Sequence, residues 1–325
     1  MTPKNISIIY RNDKDQLINN ALHFIDLFDN IKTKHFQIKD ECVKADIKFA
    51  FHSFTNFNKW SEIVENNNVF VFPTEKTDDE TMRVTFNHPN IAKIIVASDS
   101  YVKYFTKTLG LPTSRVKLIN MPASPTKFGM LAPTGQKIIL TPCLVSPNMD
   151  FIELLNAIKE LKLKYKNLIY ILILTNHPYV SVIEENAIIQ KIINHIIAND
   201  LRGQVKLITN PQYDLDYYLK LTDIVLLPYD SSAQMYNNTL VDSIVAKKPI
   251  VAPNLPHIHD FCKKGAGIFL FQNTNMSSIV DACSVILDHN EIKTILQEQN
   301  AELSPQFSHS IIAQQYINLF KRFKE

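Results

Sequence analysis

The chain of 325 residues is poor in glycine, with only six, and this removes most of the flexible turns that usually let a backbone approach a phosphate group. It also has few cysteines, and they lie far apart without the spacing of metal ligands: Cys42, Cys143, Cys262 and Cys283. We therefore expect free thiols in a reducing cytosol, with neither a disulfide nor a zinc site.

The sequence has almost no net charge. The formal charge is +2, and no block of basic residues is interleaved with aromatic ones. This composition gives no electrostatic reason to expect a nucleic-acid partner, and it favours a small polar ligand.

Long hydrophobic runs are also missing. An apolar run such as LIYILILT has the length of a strand, and the N-terminal MTPKNISIIYRND has too short an apolar core for a signal peptide. We therefore expect a soluble cytoplasmic protein. A peripheral contact with the inner face of a membrane stays open.

Strand-like runs alternate with helix-like patterns along the whole chain. Examples are NISIIY before QLINNALHFIDLF, KIIVAS before YVKYFTKTLG, and KIILTP before FIELLNAIKELKLKY. Such βα repetition predicts an α/β protein with parallel sheets that helices cover on both faces. With 46% apolar residues, the chain can bury two cores of ordinary size.

A segment rich in proline and glycine, MPASPTKFGMLAPTGQ, interrupts both periodicities near the middle of the chain. It predicts an N-terminal Rossmann-like domain over residues 1–127 and a C-terminal one over 128–306. Residues 307–325 form an amphipathic pattern with Ser308 as N-cap, and we expect this helix to cross back and pack on the N-terminal domain.

Four blocks, in this order, resemble retaining glycosyltransferase family 4, and the resemblance runs from about residue 45 to the end. The blocks are KIIVASDSYVKYFTKTLGLPTSRVKLINMPASPTKF, KIILTPCLVSPNMDFIELLNAIKEL, QVKLITNPQYDLDYYLKLTDIVLLPY and FSHSIIAQQYINLFKRF. The resemblance implies the GT-B fold, in which two Rossmann-like parallel-sheet domains face a cleft and a C-terminal helix crosses back to the N-terminal domain.

The resemblance also implies an enzyme that transfers a sugar from a nucleotide diphosphate sugar to a glycan, glycolipid or glycoprotein, with retention of configuration. The nucleotide would be held by the C-terminal domain and the acceptor by the N-terminal one. The donor would be a substrate that needs no metal, and no cofactor would be tightly bound. Polysaccharide biosynthesis is the expected context.

The family carries two glutamates eight residues apart, and the matching positions here are Gln234 and Asp242. By this resemblance Asp242 binds the ribose hydroxyls of the donor, while Gln234 lies near the sugar and phosphate and is one of two candidate catalytic residues. Gln234 keeps a hydrogen-bonding oxygen but loses the charge, so it stabilises a developing positive charge less well.

Between these two positions a polar turn leads into a helix. Asn237, Asn238 and Thr239 can cap this helix while the next N–H groups stay available for the donor phosphates. A plain helix cap is the alternative. Asn210 and Pro211 are expected near the base of the nucleotide through backbone contacts.

The family also has a Gly-Arg pair and then a Lys after the first strand of its C-terminal domain, which neutralise the leaving diphosphate. This chain has Pro142, Cys143 and Asn148 in that stretch, and Asn148 is the remaining donor-side candidate. Cations from other loops could replace the missing pair, and the candidates are Lys247, Lys248, Lys263, Lys264 and Arg202.

Three residues of the N-terminal domain are candidates: Glu75 as a second catalytic residue, and His52 and Thr74 on the acceptor side. The family often places a histidine after a strand, against the sugar, and Thr74 and Glu75 stand there in NNVFVFPTEKTDD. Glu75 could act as a carboxylate against the sugar or the acceptor hydroxyl. His52 ends the strand-like run FAFH. A charged loop residue and a half-buried structural histidine are the alternatives for Glu75 and His52.

The Asp214-Leu-Asp216 triplet matches a metal-binding DxD motif, but it stands where a helix begins and aspartate favours the helix dipole, so no metal site is predicted. Beside the enzyme, two other functions stay open. One is a catalytically weakened homologue that acts as a binding or partner subunit of another transferase. The other is a different GT-B enzyme, such as a sugar-nucleotide epimerase. A homo-oligomer is also open.

Overall fold

A computed structural model describes ten segments of the chain: residues 4–9, 36–39, 47–52, 69–73, 77–123, 135–177, 180–209, 215–228, 238–272 and 275–322. The strands in these segments form two sheets of six, and every strand pairing is parallel. The predicted α/β class with two parallel sheets is therefore confirmed.

The strands of the first sheet are β1 (Lys4–Ile9), β2 (Phe36–Lys39), β3 (Ile47–His52), β4 (Val69–Pro73), β5 (Ile91–Val96) and β6 (Val116–Leu118). Those of the second are β7 (Lys137–Leu144), β8 (Leu168–Thr175), β9 (Val205–Ile208), β10 (Ile224–Leu226), β11 (Ile250–Pro253) and β12 (Ile268–Phe271). Their spatial orders are β2-β1-β3-β4-β5-β6 and β12-β11-β10-β7-β8-β9.

The described helices are α1 (Asp79–Phe86), α2 (Asp99–Lys103), α3 (Phe151–Lys164), α4 (Val182–Ala198), α5 (Leu215–Leu221), α6 (Asn238–Val245), α7 (Pro256–Lys263), α8 (Met276–Asp288), α9 (Asn290–Leu303) and α10 (His309–Arg322). A π-helical turn, Tyr104–Thr108, continues α2, and two short 3-10 turns span Thr113–Arg115 and Ser304–Phe307.

Contacts along the backbone divide the chain into two compact units. The first comprises Met1–Ala123, Ser232–Asn238 and Gln306–Glu325, and the second comprises Ser124–Ser231 and Thr239–Pro305. The first unit therefore takes its last helix, α10, from the far end of the sequence.

Strand β4 shows how the sequence builds the first unit. Side chains alternate between the two faces of a strand, so VFVFP sends Phe70 and Phe72 to one face and Val69 and Val71 to the other. The phenylalanines lie in a buried cluster with α10, where Phe70 and Phe320 have ring centroids 5.5 Å apart. The valines lie in a second cluster with α1 and α2. Both faces of the first sheet are therefore covered at β4, as the apolar side chains of this strand require.

A continuous apolar core surrounds β8 in the second unit. In LIYILILT, residues Tyr170, Leu172 and Leu174 lie in this core with helices α3 and α8. Helix α3 contributes a buried stripe at helical spacing, which is Leu154, Leu155, Ile158 and Leu161. Because this core fixes β7 and β8 side by side, it also fixes the loops that follow them.

Candidate functional site

The second sheet has a topological switch point between β7 and β10. From β7 the chain builds β8 and β9 outward on one side, and it then returns to the other side of β7 to build β10, β11 and β12. In open parallel sheets the loops after two such neighbouring strands diverge, and the crevice at their carboxyl ends is the usual ligand site. The candidate donor site is therefore at the carboxyl ends of β7 and β10. We call the side of the sheet at which the strands end its carboxyl edge, and the side at which they begin its amino edge.

The two strands at the switch point also differ in length. The register pairs Ile224 with Ile139 and Val225 with Leu140, and β10 ends one residue later while β7 continues to Leu144. Pro142, which has no N–H to give to a neighbouring strand, lies in this overhanging part of β7. The hydroxyl of Thr141 donates to the carbonyl of Leu226 over 3.0 Å and holds the ends of the two strands together.

Helix α6 brings three of the predicted donor residues to this edge. It is the first described element after β10, and it begins with Asn238 and Thr239, both half-buried. Asp242 follows one turn later and is 8% exposed, although most carboxylates in proteins lie in water. Ser243 donates to the carbonyl of Thr239 over 2.6 Å, so the first turns of the helix are tightly formed.

Asn148 lies in the loop that follows β7. The carbonyl of Ser146 accepts from the N–H of Met149 over 3.2 Å, and the Ser146 hydroxyl accepts from the N–H of Asn148 over 3.3 Å. This turn leaves the side chain of Asn148 exposed. Since β7 and β10 are neighbours, the structure places Asn148 and α6 at the same edge of the sheet.

The helices around this edge differ in how their N-termini are capped. Three of them have a side-chain cap: Asp150 accepts from Glu153 N, Ser181 from Glu184 N, and Asn275 from Ser278 N. These caps satisfy N–H groups that a phosphate would otherwise meet. Helices α3, α4 and α8 therefore have fewer N–H groups left for an anion than α7, whose N-cap residue, Leu255, makes no side-chain hydrogen bond.

The loop after β8 is held by a buried carboxylate that the sequence analysis missed. Glu185, in the first turn of α4, is 5% exposed and accepts from the N–H of His177 over 2.5 Å. Burial lowers the pKa of His177, so its imidazole is uncharged at neutral pH. The S-x-x-E pattern at Ser181 and Glu184 indicates a helix start, but it does not reveal that the next glutamate turns inward.

We expect Glu185→Ala to lower the free energy of unfolding by about 2 kcal/mol, because it removes a charge-assisted hydrogen bond and leaves a backbone N–H without its acceptor. Urea unfolding followed by circular dichroism measures this change. The matched control is Glu184→Ala, an exposed neighbour that should cost no more than about 0.5 kcal/mol. Equal effects of the two variants would contradict the role of Glu185.

Five cations were predicted to replace the Arg and Lys that neutralise the donor diphosphate in the resembled family. They lie at the amino ends of the strands. Arg202 precedes β9, Lys247 and Lys248 precede β11, and Lys263 and Lys264 precede β12. In a parallel sheet the segments before strands lie at the amino ends, whereas the candidate site is at the carboxyl ends. The prediction that these five residues approach the donor diphosphate is therefore wrong.

Lys248 shows what one of these cations does instead. Its ammonium donates to the carbonyls of Lys220 and Thr222 over 3.2 and 2.9 Å, just before β10 begins. It thereby ties together the amino ends of two strands. Burial lowers its pKa, as expected for an ammonium group with a structural position.

Several predicted residues fall outside the described segments: Gln234, Asn237, Asn210, Pro211, Thr74 and Glu75. His52 ends β3 in the first sheet, and its backbone pairs in register with Pro73 at the end of β4. Thr74 and Glu75 follow Pro73 directly in the sequence. His52 and Pro73 thus end neighbouring strands of the first unit.

The described residues contain no group of three or more histidine, cysteine, aspartate or glutamate side chains that could hold a metal ion. Asp216, from the DxD match, lies inside α5 and pairs with Lys220 over 2.7 Å. Among the helices of the described segments, none is long and apolar enough to cross a membrane.

Solved structures share the architecture of the whole chain. It is similar to a glycosyltransferase from Rickettsia africae, with 10% identity, a TM-score of 0.75, and coverage of 100% of this chain and 99% of the other. HepE from Anabaena, in complex with UDP and glucose, has 13% identity, a TM-score of 0.74, and coverage of 98% and 99%. Sucrose-phosphate synthase from Thermosynechococcus elongatus has 11% identity, a TM-score of 0.75, and the same coverage.

These likenesses establish the fold. The chain has the GT-B fold of glycosyltransferases, which confirms the fold expected from the four sequence blocks. Sequence comparison adds nothing further, since no family model matches the chain and no curated protein sequence matches it significantly.

Proposed function

We propose that the chain transfers a sugar from a nucleotide diphosphate sugar to a glycan, glycolipid or glycoprotein acceptor, with retention of configuration. The observation that carries this proposal is the position of α6, whose N-terminus and buried Asp242 lie where β7 and β10 end. A nucleotide diphosphate has an anionic part suited to a helix N-terminus and ribose hydroxyls suited to a carboxylate.

In this proposal the phosphates meet the N–H groups of the first turn of α6, beside Asn237, Asn238 and Thr239. Asp242 accepts hydrogen bonds from the ribose, and the backbone of Asn210 and Pro211 meets the base. HepE of Anabaena binds UDP-glucose, and a pneumococcal O-GlcNAc transferase, GtfA, binds UDP with GlcNAc, which makes a nucleotide sugar a reasonable donor class to test first.

The chemical step is assigned to residues near the transferred sugar. Gln234 hydrogen-bonds the sugar, and Asn148 lies on the diphosphate side of the donor. Glu75 acts as a carboxylate against the sugar or the acceptor hydroxyl, while His52 and Thr74 contribute on the acceptor side. No metal takes part in this scheme, and we place the enzyme in the cytoplasm, with a peripheral membrane contact where the acceptor is a lipid.

A second function has one observation in its favour. The five cations that could have compensated for the missing arginine and lysine all lie at the amino ends of the strands. Departure of a diphosphate without nearby positive charge is slow, because negative charge develops on it in the transition state. This favours a weakened homologue that serves as a partner subunit of another transferase.

A thermal-shift panel with UDP, GDP, ADP, TDP and CMP, each with and without magnesium, tests the proposal. We expect one nucleotide to stabilise the chain without magnesium, by about 2.7 kcal/mol when its concentration is 100 times its Kd. No shift with any nucleotide would contradict the transferase, and purification from the native source should then yield a second transferase bound to the chain.

A further inference from the structure

Asparagine follows four adjacent strands at the carboxyl edge of the second sheet. In spatial order these are Asn254 after β11, Asn238 at the start of α6 after β10, Asn148 after β7 and Asn176 after β8. Asn148, Asn176 and Asn254 are exposed and Asn238 is half-buried. The topology therefore sets four amide side chains along the edge that holds the candidate donor site.

The charged side chains in the described segments along this edge are acidic. The described parts of the segments after these strands, and the first turns of the helices that they enter, contain no lysine or arginine. They do contain carboxylates, among them Asp150, Glu153, Glu184 and Glu185. Burial lowers the pKa of His177, and it lowers that of His257 to about 4, so neither imidazole is positive at neutral pH.

This arrangement discriminates between kinds of sugar. An amide group both donates and accepts hydrogen bonds, which suits the hydroxyl and acetamido groups of a neutral sugar. A sugar carboxylate needs a cation or several N–H donors when it leaves water, and here it would meet carboxylates instead. The helix N-terminus at α6 can receive the diphosphate, but it does not extend to the far end of a sugar.

We infer that the donor carries an uncharged sugar, a neutral hexose or an N-acetylhexosamine, and not a hexuronic acid. The inference rests on the proposed function, because it concerns the sugar of the same donor. It depends on the four amide side chains and on the carboxylates at this edge. It does not depend on which base the nucleotide carries.

Matched donors test the inference directly by calorimetry. UDP-glucose and UDP-glucuronic acid differ only at C6, where a hydroxymethyl group replaces a carboxylate, and GDP-mannose and GDP-mannuronic acid form a second pair. We expect the neutral member to bind at least about tenfold more tightly, a difference of about 1.4 kcal/mol. Equal or tighter binding of the acidic member overturns the inference. If none of the five nucleotides of the thermal-shift panel binds, the proposed function fails and the inference with it.

A gain of function supplies the second test. Asn176→Lys places a cation at the carboxyl edge, and it should raise the affinity for the acidic donor relative to the neutral one by about fivefold. The matched control is Asn167→Lys, also an exposed asparagine, which precedes β8 at the amino edge and should leave the ratio unchanged. If Asn176→Lys does not change the ratio of the affinities for the acidic and the neutral donor, the sugar lies away from this edge and the inference is overturned.

Discussion

Replacement of Asp242 by alanine is expected to weaken nucleotide binding by more than about 100-fold, since two charge-assisted hydrogen bonds to ribose contribute about 1.5 to 3 kcal/mol each. Asp242 is the buried carboxylate of α6, and the sequence resemblance assigns it to the ribose. Calorimetry with the nucleotide that stabilises the chain measures the loss.

A structural role for Asp242 must be separated from a binding role, because the residue is buried. Asp242→Asn keeps the shape of the side chain, and it should retain the fold while still losing most of the affinity. Ser243→Ala is the matched control in the same helix, since it removes a hydrogen bond to Thr239 and should change nucleotide affinity less than about twofold. A folded Asp242→Ala variant with unchanged affinity would refute the assignment.

Gln234→Ala completes this comparison. Its side chain is assigned to the sugar and phosphate, so the variant should keep most of the nucleotide affinity while turnover falls. If Asp242→Ala and Gln234→Ala both leave binding and turnover unchanged, the stretch from 233 to 253 is not the donor site.

Replacement of Asn148 by lysine is expected to raise kcat by about tenfold or more, because one cation near the leaving diphosphate stabilises the charge that develops there. Asn148 stands in the stretch where the resembled family carries its lysine, and it lies on an exposed turn after β7. The substitution should therefore cost little stability. Release of the nucleoside diphosphate, followed with a coupled assay, reports kcat.

The control for this gain is a lysine introduced at the amino ends of the strands. Asn167→Lys adds an equal charge at the amino end of β8 and should leave kcat at the level of the unchanged protein. A gain that is equal in both variants would come from net charge alone. No gain in the Asn148→Lys variant would mean that the diphosphate does not lie beside this turn.

The general architecture could be predicted because its signals are local. Apolar strand runs and amphipathic helices alternate over most of the described segments, and in the stretch AQMYNNTLVDSIVAKKPIVAP the predicted order of helix and strand agrees with α6 and β11. The place of each cation could also have been predicted. Lys247 and Lys248 stand shortly before a strand, with Pro249 between, and this alone assigns them to the amino edge of a parallel sheet.

Other features depend on contacts between distant residues and leave no local signal. The burial of Glu185 follows from the way α4 lies on the sheet, and its acceptor role depends on the path of the chain at His177. The strand order that makes β7 and β10 neighbours is likewise a long-range property. The burial of Glu185 and the pairing of β7 with β10 could therefore not be predicted from the sequence.

The origin of α10 has a consequence for synthesis. The face of the first sheet formed by Phe49, Phe70, Phe72 and Ile95 is covered by residues 312–320, which leave the ribosome after the whole second unit. During translation this aromatic surface stays open to water, or to a chaperone, while the second unit can already complete its core. The part of the protein that is made first is therefore the part that is finished last.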